Sequence, residues 1–347
     1  RLLFGNPERA SVQISPDGRQ LGWPAPVDGV LNVWVAPAGD PAAARVVTQE
    51  ARRGIRYWRW AERDDHLLYM QDHDGDENYH VYRVDVESMD VLDLTPGEGL
   101  RATILATSPL QPDQILVQIN DRDPEHHDVH RVDLRTGARD LIQRNDGGFA
   151  DFVADARFRI RLALRFTEDG GVEYLQPRDG DGWESWLSVP QEDQLTTFYL
   201  GFDRSGETLY LQSSLRRDTA ALYAVDFRTG QWKLLAEDPK ADAGRLIRDA
   251  RTDRPLAISF PHARDRWVAL DADVQLDLDV LRRTGAEFSV TSQTRDGKCW
   301  VVALEADDAP VRYYLYRRGE GDPRLLFSSR PELEGLPLAR THSTVVR

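Results

Sequence analysis

The sequence predicts an all-β fold, a seven-bladed β-propeller with four antiparallel strands in each blade. Three observations predict it: a turn-and-strand unit that recurs along the chain, a second strand–turn–strand unit in phase with the first, and a near absence of helical periodicity. Units repeated at a fixed spacing of roughly 20–50 residues are typical of architectures in which each unit covers its neighbours. Four short strands in each unit point to a propeller.

The first repeated unit is a turn followed by a short apolar strand. The turn positions 17, 64 and 113 are 47 and 49 residues apart, and positions 205, 253 and 296 continue the series at 48 and 43. The gap of 92 residues between 113 and 205 is two periods, and we place its missing member near Asp155. Seven units result.

The second repeated unit lies downstream of each turn. Its clearest copies occupy residues 81–85, 129–137 and 222–230, where apolar and polar residues alternate as in a strand with one buried face. The last two copies end in Thr-Gly, and glycine supplies the positive φ that tight hairpins need. Each unit therefore contains about four short antiparallel strands.

Two units fit the pattern less well than the others. The fourth, 149–189, has a degenerate turn, and in the sixth, 245–284, residues 271–279 interrupt the strands. A short helical stripe runs from Val274 to Leu281. We expect a lead-in segment at 1–10, the propeller at 11–331, and the start of an interdomain linker at 332–347.

The composition argues against nucleic acid and membranes as binding partners. The formal net charge of −14 disfavours nucleic acid, since phosphate binding needs a basic face. The longest apolar runs have six residues, far short of the roughly 20 that cross a bilayer. The single cysteine, Cys299, excludes an internal disulfide and reads as a buried small hydrophobe. We expect no cofactor, no membrane contact and, from the absence of a visible leader, a cytoplasmic protein.

Several segments resemble one family of peptidases. The opening 3–10 (LFGNPERA), the turn 14–18 (ISPDG), the segment 72–80 (DHDGDENYH) and the segment 120–124 (NDRDP) are similar to the N-terminal propeller of prolyl-oligopeptidase-family (S9) serine peptidases. The similarity is greatest to the bacterial acylaminoacyl-peptidase and dipeptidyl-aminopeptidase-like branch, and it covers almost the whole chain.

The resemblance implies that this chain is one domain of a peptidase whose catalytic residues lie in another domain. In that family an α/β-hydrolase domain with a Ser-Asp-His triad follows the propeller, which caps the active site and restricts access to short peptides. No serine in this sequence lies two residues after a glycine, so the G-x-S-x-G nucleophile elbow is absent. We therefore expect a non-catalytic propeller, whose partners are a hydrolase domain of the parent chain and, in the complete enzyme, peptide substrates.

The main candidate site is the acidic loop, residues 72–78. It carries four carboxylates between two predicted strands, and clustered carboxylates in a shielded crevice stabilise a cation. We predict that Asp74, Asp76, Glu77 and Asn78 face the substrate entrance or the partner domain. The alternative is a solvated turn whose side chains bond their own backbone.

Arg122 is the fifth candidate for the substrate or domain interface. It lies in the corresponding loop one blade later, beside Asp123. The alternating charges there suit an ion pair between blades or domains, or a plain solvated turn.

Metal sites are not predicted. Counted as a calcium loop from Asp72, the acidic loop has glycine at position 4 and Arg83 at position 12, where an EF-hand needs glycine at 6 and glutamate at 12. His126 and His127 are adjacent on a strand, so their side chains point to opposite faces and do not converge on one ion.

Two other functions remain open from the residues alone. One is a free-standing, TolB-like propeller that binds a ligand or a protein. The other is a propeller enzyme such as a lactonase or glycosidase, which needs convergent acidic or metal-binding residues near the axis, and the sequence shows no regular placement of them.

Overall fold

The computed structural model describes residues 5–178 and 182–344 and contains seven antiparallel sheets arranged as a propeller. The predicted fold is confirmed. Residues 1–4 of the expected lead-in and 345–347 of the expected linker lie outside the described residues, as do three residues of the fourth blade.

Consecutive strands form each sheet, in sequence order. Blade 1 comprises Gln13–Ile14 (β1), Gln20–Val27 (β2), Val30–Pro37 (β3) and Arg45–Val46 (β4). Blade 2 comprises Tyr57–Trp60 (β5), His66–Gln71 (β6), His80–Asp85 (β7) and Val91–Asp93 (β8). Blade 3 comprises Ala102–Thr107 (β9), Gln114–Asp123 (β10), His126–Asp133 (β11) and Arg139–Gln143 (β12).

The fourth and fifth blades follow the same plan. Blade 4 comprises Asp151–Ala154 (β13), Ile160–Phe166 (β14), Val172–Pro177 (β15) and Trp183–Val189 (β16). Blade 5 comprises Phe198–Phe202 (β17), Thr208–Ser213 (β18), Ala221–Asp226 (β19) and Trp232–Ala236 (β20). The degenerate turn of the fourth blade is where the spacing predicts it, because Phe158 donates its backbone N–H to the Asp155 carbonyl at 2.9 Å.

The sixth blade departs from the four-stranded plan in one element. It comprises Leu246–Arg248 (β21), Pro255–Pro261 (β22), Asp265–Ala269 (β23) and the helix Ala272–Arg282 (α1), which follows the third strand in place of a fourth. The helix buries Val274, Leu278 and Leu281 in an apolar cluster shared by the sixth and seventh blades, so the predicted helical stripe is confirmed. Asp271 caps it by accepting the backbone N–H of Asp273 at 2.9 Å.

Blade 7 comprises Glu287–Gln293 (β24), Cys299–Glu305 (β25), Arg312–Arg317 (β26) and Arg324–Ser328 (β27). Short 3₁₀ turns lie at Pro41–Ala43, Gln191–Asp193 and Pro331–Leu333. In the described part of the chain, no helix has the length and apolar character needed to cross a membrane. Cys299 is 6 % exposed, as predicted for a buried hydrophobe.

The ring closes without a strand shared between its ends. Every described strand of blade 1 precedes those of blade 7, and the two blades meet through side chains and through a backbone hydrogen bond from the Arg295 N–H to the Pro16 carbonyl at 2.8 Å. The Ile14 backbone N–H donates to Ser292 Oγ at 2.8 Å, and Thr291 Oγ1 donates to the Val12 carbonyl at 2.7 Å. Trp23, Phe327 and other apolar residues of both blades form one cluster at this seam.

The first strands of all seven blades line a central cavity, so they surround the axis. Because strands alternate in direction, connections between first and second strands and between third and fourth strands lie on one side, here called the turn face. Connections between second and third strands and between blades lie on the opposite side, here called the loop face. Loop residues can therefore form one surface site only when they lie on the same face.

Candidate functional site

The acidic loop connects β6 to β7 and therefore lies on the loop face. Its backbone turns sharply, because Asp74, Gly75 and Glu77 have φ values of 54°, 91° and 60°. Left-handed conformations of this kind are uncommon for residues other than glycine, although aspartate and asparagine tolerate them better. The loop is thus a tight turn with a defined backbone conformation.

Two of its four carboxylates are held by arginines of the preceding connection. Asp72 is buried and pairs with Arg53 Nε at 3.2 Å, and it also accepts the Glu77 backbone N–H at 3.3 Å. Asp74 pairs with Arg52, and both side chains are exposed. Arg52 and Arg53 had no place in the sequence prediction, because a one-dimensional pattern does not show which connection lies beside the loop.

Asp76 is engaged by its own loop. It accepts the backbone N–H groups of His73 at 3.2 Å and Asn78 at 3.0 Å, and the Asn78 side chain donates to it at 3.2 Å. Desolvation opposes the shift, but together these hydrogen bonds from Asn78 and His73 lower the pKa of Asp76. These are the hydrogen bonds expected of a solvated turn, which is the alternative to a binding loop.

Glu77 is the carboxylate that the loop leaves unengaged. Its side chain is exposed, and it makes no hydrogen bond or ion pair with the residues that the structure describes. The aromatic pair Tyr57 and Tyr79 lies beside the loop, with ring centroids 6.4 Å apart and planes at 84°. An acidic group next to exposed aromatic rings can bind an ammonium group or a guanidinium group.

Arg122 is held within its own blade. Its Nε and one terminal nitrogen donate to the two oxygens of Asp128 at 2.6 and 2.7 Å, and it also donates to the Asn145 carbonyl at 3.3 Å. Asp128 is 2 % exposed, so the arginine compensates a buried charge. The structure therefore does not bring Arg122 together with the acidic loop. Arg122 instead closes a hairpin one blade away.

The loop face also carries a pocket that the sequence did not reveal, here called the blade 4 pocket. It has a volume of about 550 Å³ and includes Gln118, Asp151, Tyr174 and Tyr199 in its lining. Asp151 accepts Gln118 Nε2 at 2.7 Å and the Tyr199 hydroxyl at 3.1 Å. Burial and the nearby Asp151 charge raise the pKa of Tyr199. These residues come from three blades, so only the folded ring assembles them.

Exposed apolar side chains surround that pocket on the loop face. Leu195 is 82 % exposed in the connection between blades 4 and 5, Phe166 is 67 % exposed at the end of β14, and Phe198 is 36 % exposed. Tyr57, on the same face, is 60 % exposed. The three residues beside the pocket offer exposed apolar surface that a partner can bury.

One group of potential metal ligands is present in the described residues, and it is occupied by an ion-pair network. Asp65, His66 and Asp85 place their ligand atoms within 4.8 Å of one another. Arg83 donates to His66 Nε2 at 2.9 Å, which leaves His66 Nδ1 to donate to Asp65. The adjacent guanidinium disfavours a metal cation, and we assign none.

The segment after blade 7 runs over the loop face. Arg340 pairs with Asp308 at 2.9 Å, and Ser343 donates its hydroxyl to the Ala263 carbonyl at 2.6 Å. Both partners lie in connections between second and third strands. The acidic loop, the blade 4 pocket and this segment therefore occupy one side of the molecule.

Comparison with known proteins fits this organisation. No protein-family model matches the chain. It is 45 % identical over 337 residues to dipeptidyl aminopeptidase BIII of Pseudoxanthomonas mexicana, which covers 97 % of this chain and 49 % of the relative. It is 26 % identical over 352 residues to dipeptidyl peptidase family member 6 of Caenorhabditis elegans, covering 96 % of this chain and 47 % of the relative. The chain thus spans about half the length of the curated relatives it matches.

Solved structures share the fold. A prolyl endopeptidase aligns with a TM-score of 0.63 at 10 % identity, over 94 % of this chain and 50 % of that one. A puromycin-hydrolysing peptidase of Mycobacterium tuberculosis aligns with a TM-score of 0.60 at 14 % identity, over 95 % and 55 %. With the sequence relationship above, these matches identify the chain as a member of the prolyl-oligopeptidase (S9) family, over the propeller part of those proteins.

Proposed function

We propose that the chain is the non-catalytic propeller of a serine peptidase, and that its loop face covers the active site of an α/β-hydrolase domain and limits access to short peptides. The observation that carries the proposal is the 45 % identity to a dipeptidyl aminopeptidase across 97 % of the chain. The absence of the G-x-S-x-G elbow agrees with it, because the activated serine must then come from another domain.

The loop face supports the proposed docking side. It carries Leu195, Phe166 and Tyr57 as exposed apolar side chains. The segment after blade 7 also crosses this face, so a domain that follows in a longer chain would begin on it. Burial of such apolar surface is the main favourable contribution to a stable domain interface.

Within this arrangement the acidic loop is the proposed contact for a positive charge. Asp74, Asp76, Glu77 and Asn78 remain its candidate residues, and Glu77 is the one with an unengaged carboxylate. We propose that it holds the ammonium terminus of a peptide or a cation of the hydrolase domain. Arg122 remains a candidate for the same interface, with its bonds to Asp128 limiting its freedom to move.

The test is the triple change Asp74→Asn, Asp76→Asn and Glu77→Gln, together with Glu77→Gln alone, in the complete protein that contains this propeller. We expect the catalytic efficiency on peptides with a free N-terminus to fall, and that on N-acetylated peptides to change less. Glu87→Gln is the matched control, because Glu87 is an exposed carboxylate of the same blade on the turn face.

The melting temperature of the 347-residue chain provides the second measurement. We expect it to change little for Glu77→Gln, since an exposed carboxylate without a partner contributes little to stability. Unchanged kinetics in both acidic-loop variants would assign the loop to a solvent-facing turn. A fall in activity accompanied by a large fall in melting temperature would make it a structural element instead.

A further inference from the structure

The central cavity opens on the turn face, away from the acidic loop. Its volume is about 760 Å³, within the range of small-molecule sites. The lining includes four arginines, Arg59, Arg204, Arg248 and Arg295. The same lining carries three carboxylates, Glu62, Asp155 and Asp253, so the pairing of each arginine decides where positive charge remains.

Two of the four arginines are paired with carboxylates. Arg204 Nε donates to Asp253 at 2.6 Å, and a terminal nitrogen donates to the Ala250 carbonyl at 3.0 Å. Arg295 pairs with Asp64 at 3.1 Å and also donates to the Glu62 backbone carbonyl. Their charges are largely balanced by these partners.

Arg248 bonds only to backbone carbonyls. Its two terminal nitrogens donate to the Asp253 carbonyl at 2.8 Å and to the Leu200 carbonyl at 2.5 Å. No carboxylate lies within ion-pair distance of it in the described part of the chain. These contacts and the Tyr210 ring, 5.7 Å from the guanidinium, fix the side chain in the cavity wall, where Asp253 attracts it without forming an ion pair.

Arg59 has no hydrogen-bond or ion-pair partner among residues 5–178 and 182–344. In the strand Tyr57–Trp60 exposure alternates, with Trp58 and Trp60 buried in the blade and Arg59 on the opposite side, in the cavity wall. Solvent reaches Arg59 through the cavity, but the surrounding walls partly desolvate it and lower its pKa.

Glu62, in the same wall, offsets part of the positive charge of these arginines without forming an ion pair with Arg59. It lies beyond ion-pair distance of Arg59, although Arg59, Arg204 and Arg295 all act on its carboxylate. Those three arginines belong to blades 2, 5 and 7, so cationic groups from widely separated blades converge on the axis. A partly desolvated cation without a partner is costly, and an anionic ligand would offset that cost.

We propose that the turn-face end of the central cavity binds a small oxyanion, a carboxylate or a phosphate group, with Arg59 as its principal ligand and Arg248 supplying further positive charge. The planar guanidinium of Arg59 can donate two parallel hydrogen bonds to such a group. The site lies on the opposite side from the proposed hydrolase interface and does not depend on it.

Calorimetric titration of the 347-residue chain tests the proposal. The probes are inorganic phosphate, glycylglycine, and glycylglycinamide, which lacks the carboxylate, all at an ionic strength fixed with sodium chloride. We expect saturable binding of phosphate, glycylglycine or both, and none of glycylglycinamide. Phosphate alone or glycylglycine alone identifies which oxyanion the cavity prefers.

The variants are Arg59→Gln and the control Arg135→Gln. Arg135 is exposed in a turn on the same face and forms no ion pair with the described residues. Arg59→Gln should weaken binding at least tenfold, and Arg135→Gln should not. Without added anion, Arg59→Gln should melt no lower than wild type, because the Arg59 side chain makes no hydrogen bond or ion pair with the described residues and is partly desolvated. A bound anion should raise the melting temperature of wild type and not that of Arg59→Gln.

Two outcomes would overturn the proposal. One is the absence of oxyanion binding to the wild-type chain, and the other is equal affinity in wild type and Arg59→Gln. If Arg59→Gln does not fold, Arg59→Lys is the test variant, because lysine keeps the positive charge and loses the bidentate geometry. Weakened oxyanion binding by Arg59→Lys supports the proposal. Unchanged affinity for every oxyanion contradicts it.

Discussion

The Tyr316 hydroxyl donates a hydrogen bond to Asp277 Oδ1 at 2.7 Å, joining β26 of blade 7 to helix α1 of blade 6. Arg318 Nε donates to the other oxygen of Asp277 at 2.8 Å. Asp277 is 4 % exposed and Tyr316 is 1 % exposed. The helix that replaces a fourth strand is thus tied to the next blade through a buried carboxylate.

Tyr316→Phe should therefore destabilise the chain. The change leaves one oxygen of a buried carboxylate without its donor, which costs about 1–3 kcal/mol in free energy of unfolding. Chemical denaturation measures the difference. Tyr82→Phe is the control, because the Tyr82 hydroxyl makes no hydrogen bond with the described residues. Equal stability of both variants would show that the link between blades 6 and 7 contributes nothing.

Arg122→Gln should destabilise the chain at neutral pH, in a manner that depends on pH. The hydrogen bonds from Arg122, opposed by burial, lower the pKa of Asp128. A carboxyl group with a lowered folded-state pKa stabilises the fold above its ordinary pKa, and this contribution disappears as the pH falls through the folded-state value. The difference between variant and wild type should therefore shrink as the pH falls below about 4.

Melting temperatures across a pH series check this prediction. Arg131→Gln is the control, because Arg131 pairs with an exposed carboxylate, Asp140, at 2.9 Å. We expect it to lower the melting temperature less than Arg122→Gln at neutral pH. A difference between Arg122→Gln and wild type that is independent of pH would contradict the assigned role of Asp128.

Gly22→Ala should destabilise the packing between blades 1 and 2. A Cβ atom on Gly22 would lie 2.7 Å from Cη2 and 2.9 Å from Cζ3 of Trp58. Overpacking of this kind costs about 1–3 kcal/mol, because a large buried ring must move. Gly39→Ala is the control, since nothing lies within 4 Å of its Cβ position. Urea denaturation should show the loss in Gly22→Ala alone.

Cys299 should react with a thiol reagent only when the protein opens. The side chain is 6 % exposed, and burial raises its pKa, so little thiolate is present and little of it is accessible. Because the chain has one cysteine, labelling reports a single site. Rapid stoichiometric labelling of the native chain would contradict the buried assignment, and denaturant should accelerate the reaction.

The sequence predicts the fold more completely than the site. The seven units and the turn near Asp155 follow from the repeat spacing of 43–49 residues, and the helix around Val274 follows from its helical stripe. The sequence did not predict that the helix takes the place of a fourth strand, because periodicity does not specify which neighbour an element packs against.

Contacts between distant segments explain what the sequence did not reveal. The loop 72–78 is visible as a cluster of acids, but its pairing with Arg52 and Arg53 depends on two connections meeting in space. Arg59 carries a local signal, because it alternates with Trp58 and Trp60. The cavity that it faces exists only once seven strands surround the axis.

The seam between the first and last blades has a consequence for folding. The Ser11 backbone N–H donates a hydrogen bond to the Tyr313 hydroxyl at 3.0 Å, and the two residues are 302 positions apart in the sequence. Each sheet, in contrast, pairs strands that are adjacent in the sequence. Each sheet can therefore form from local sequence as the chain is synthesised. Joining the ends carries the largest loop-closure entropy, so we expect it to be the last and slowest event of folding.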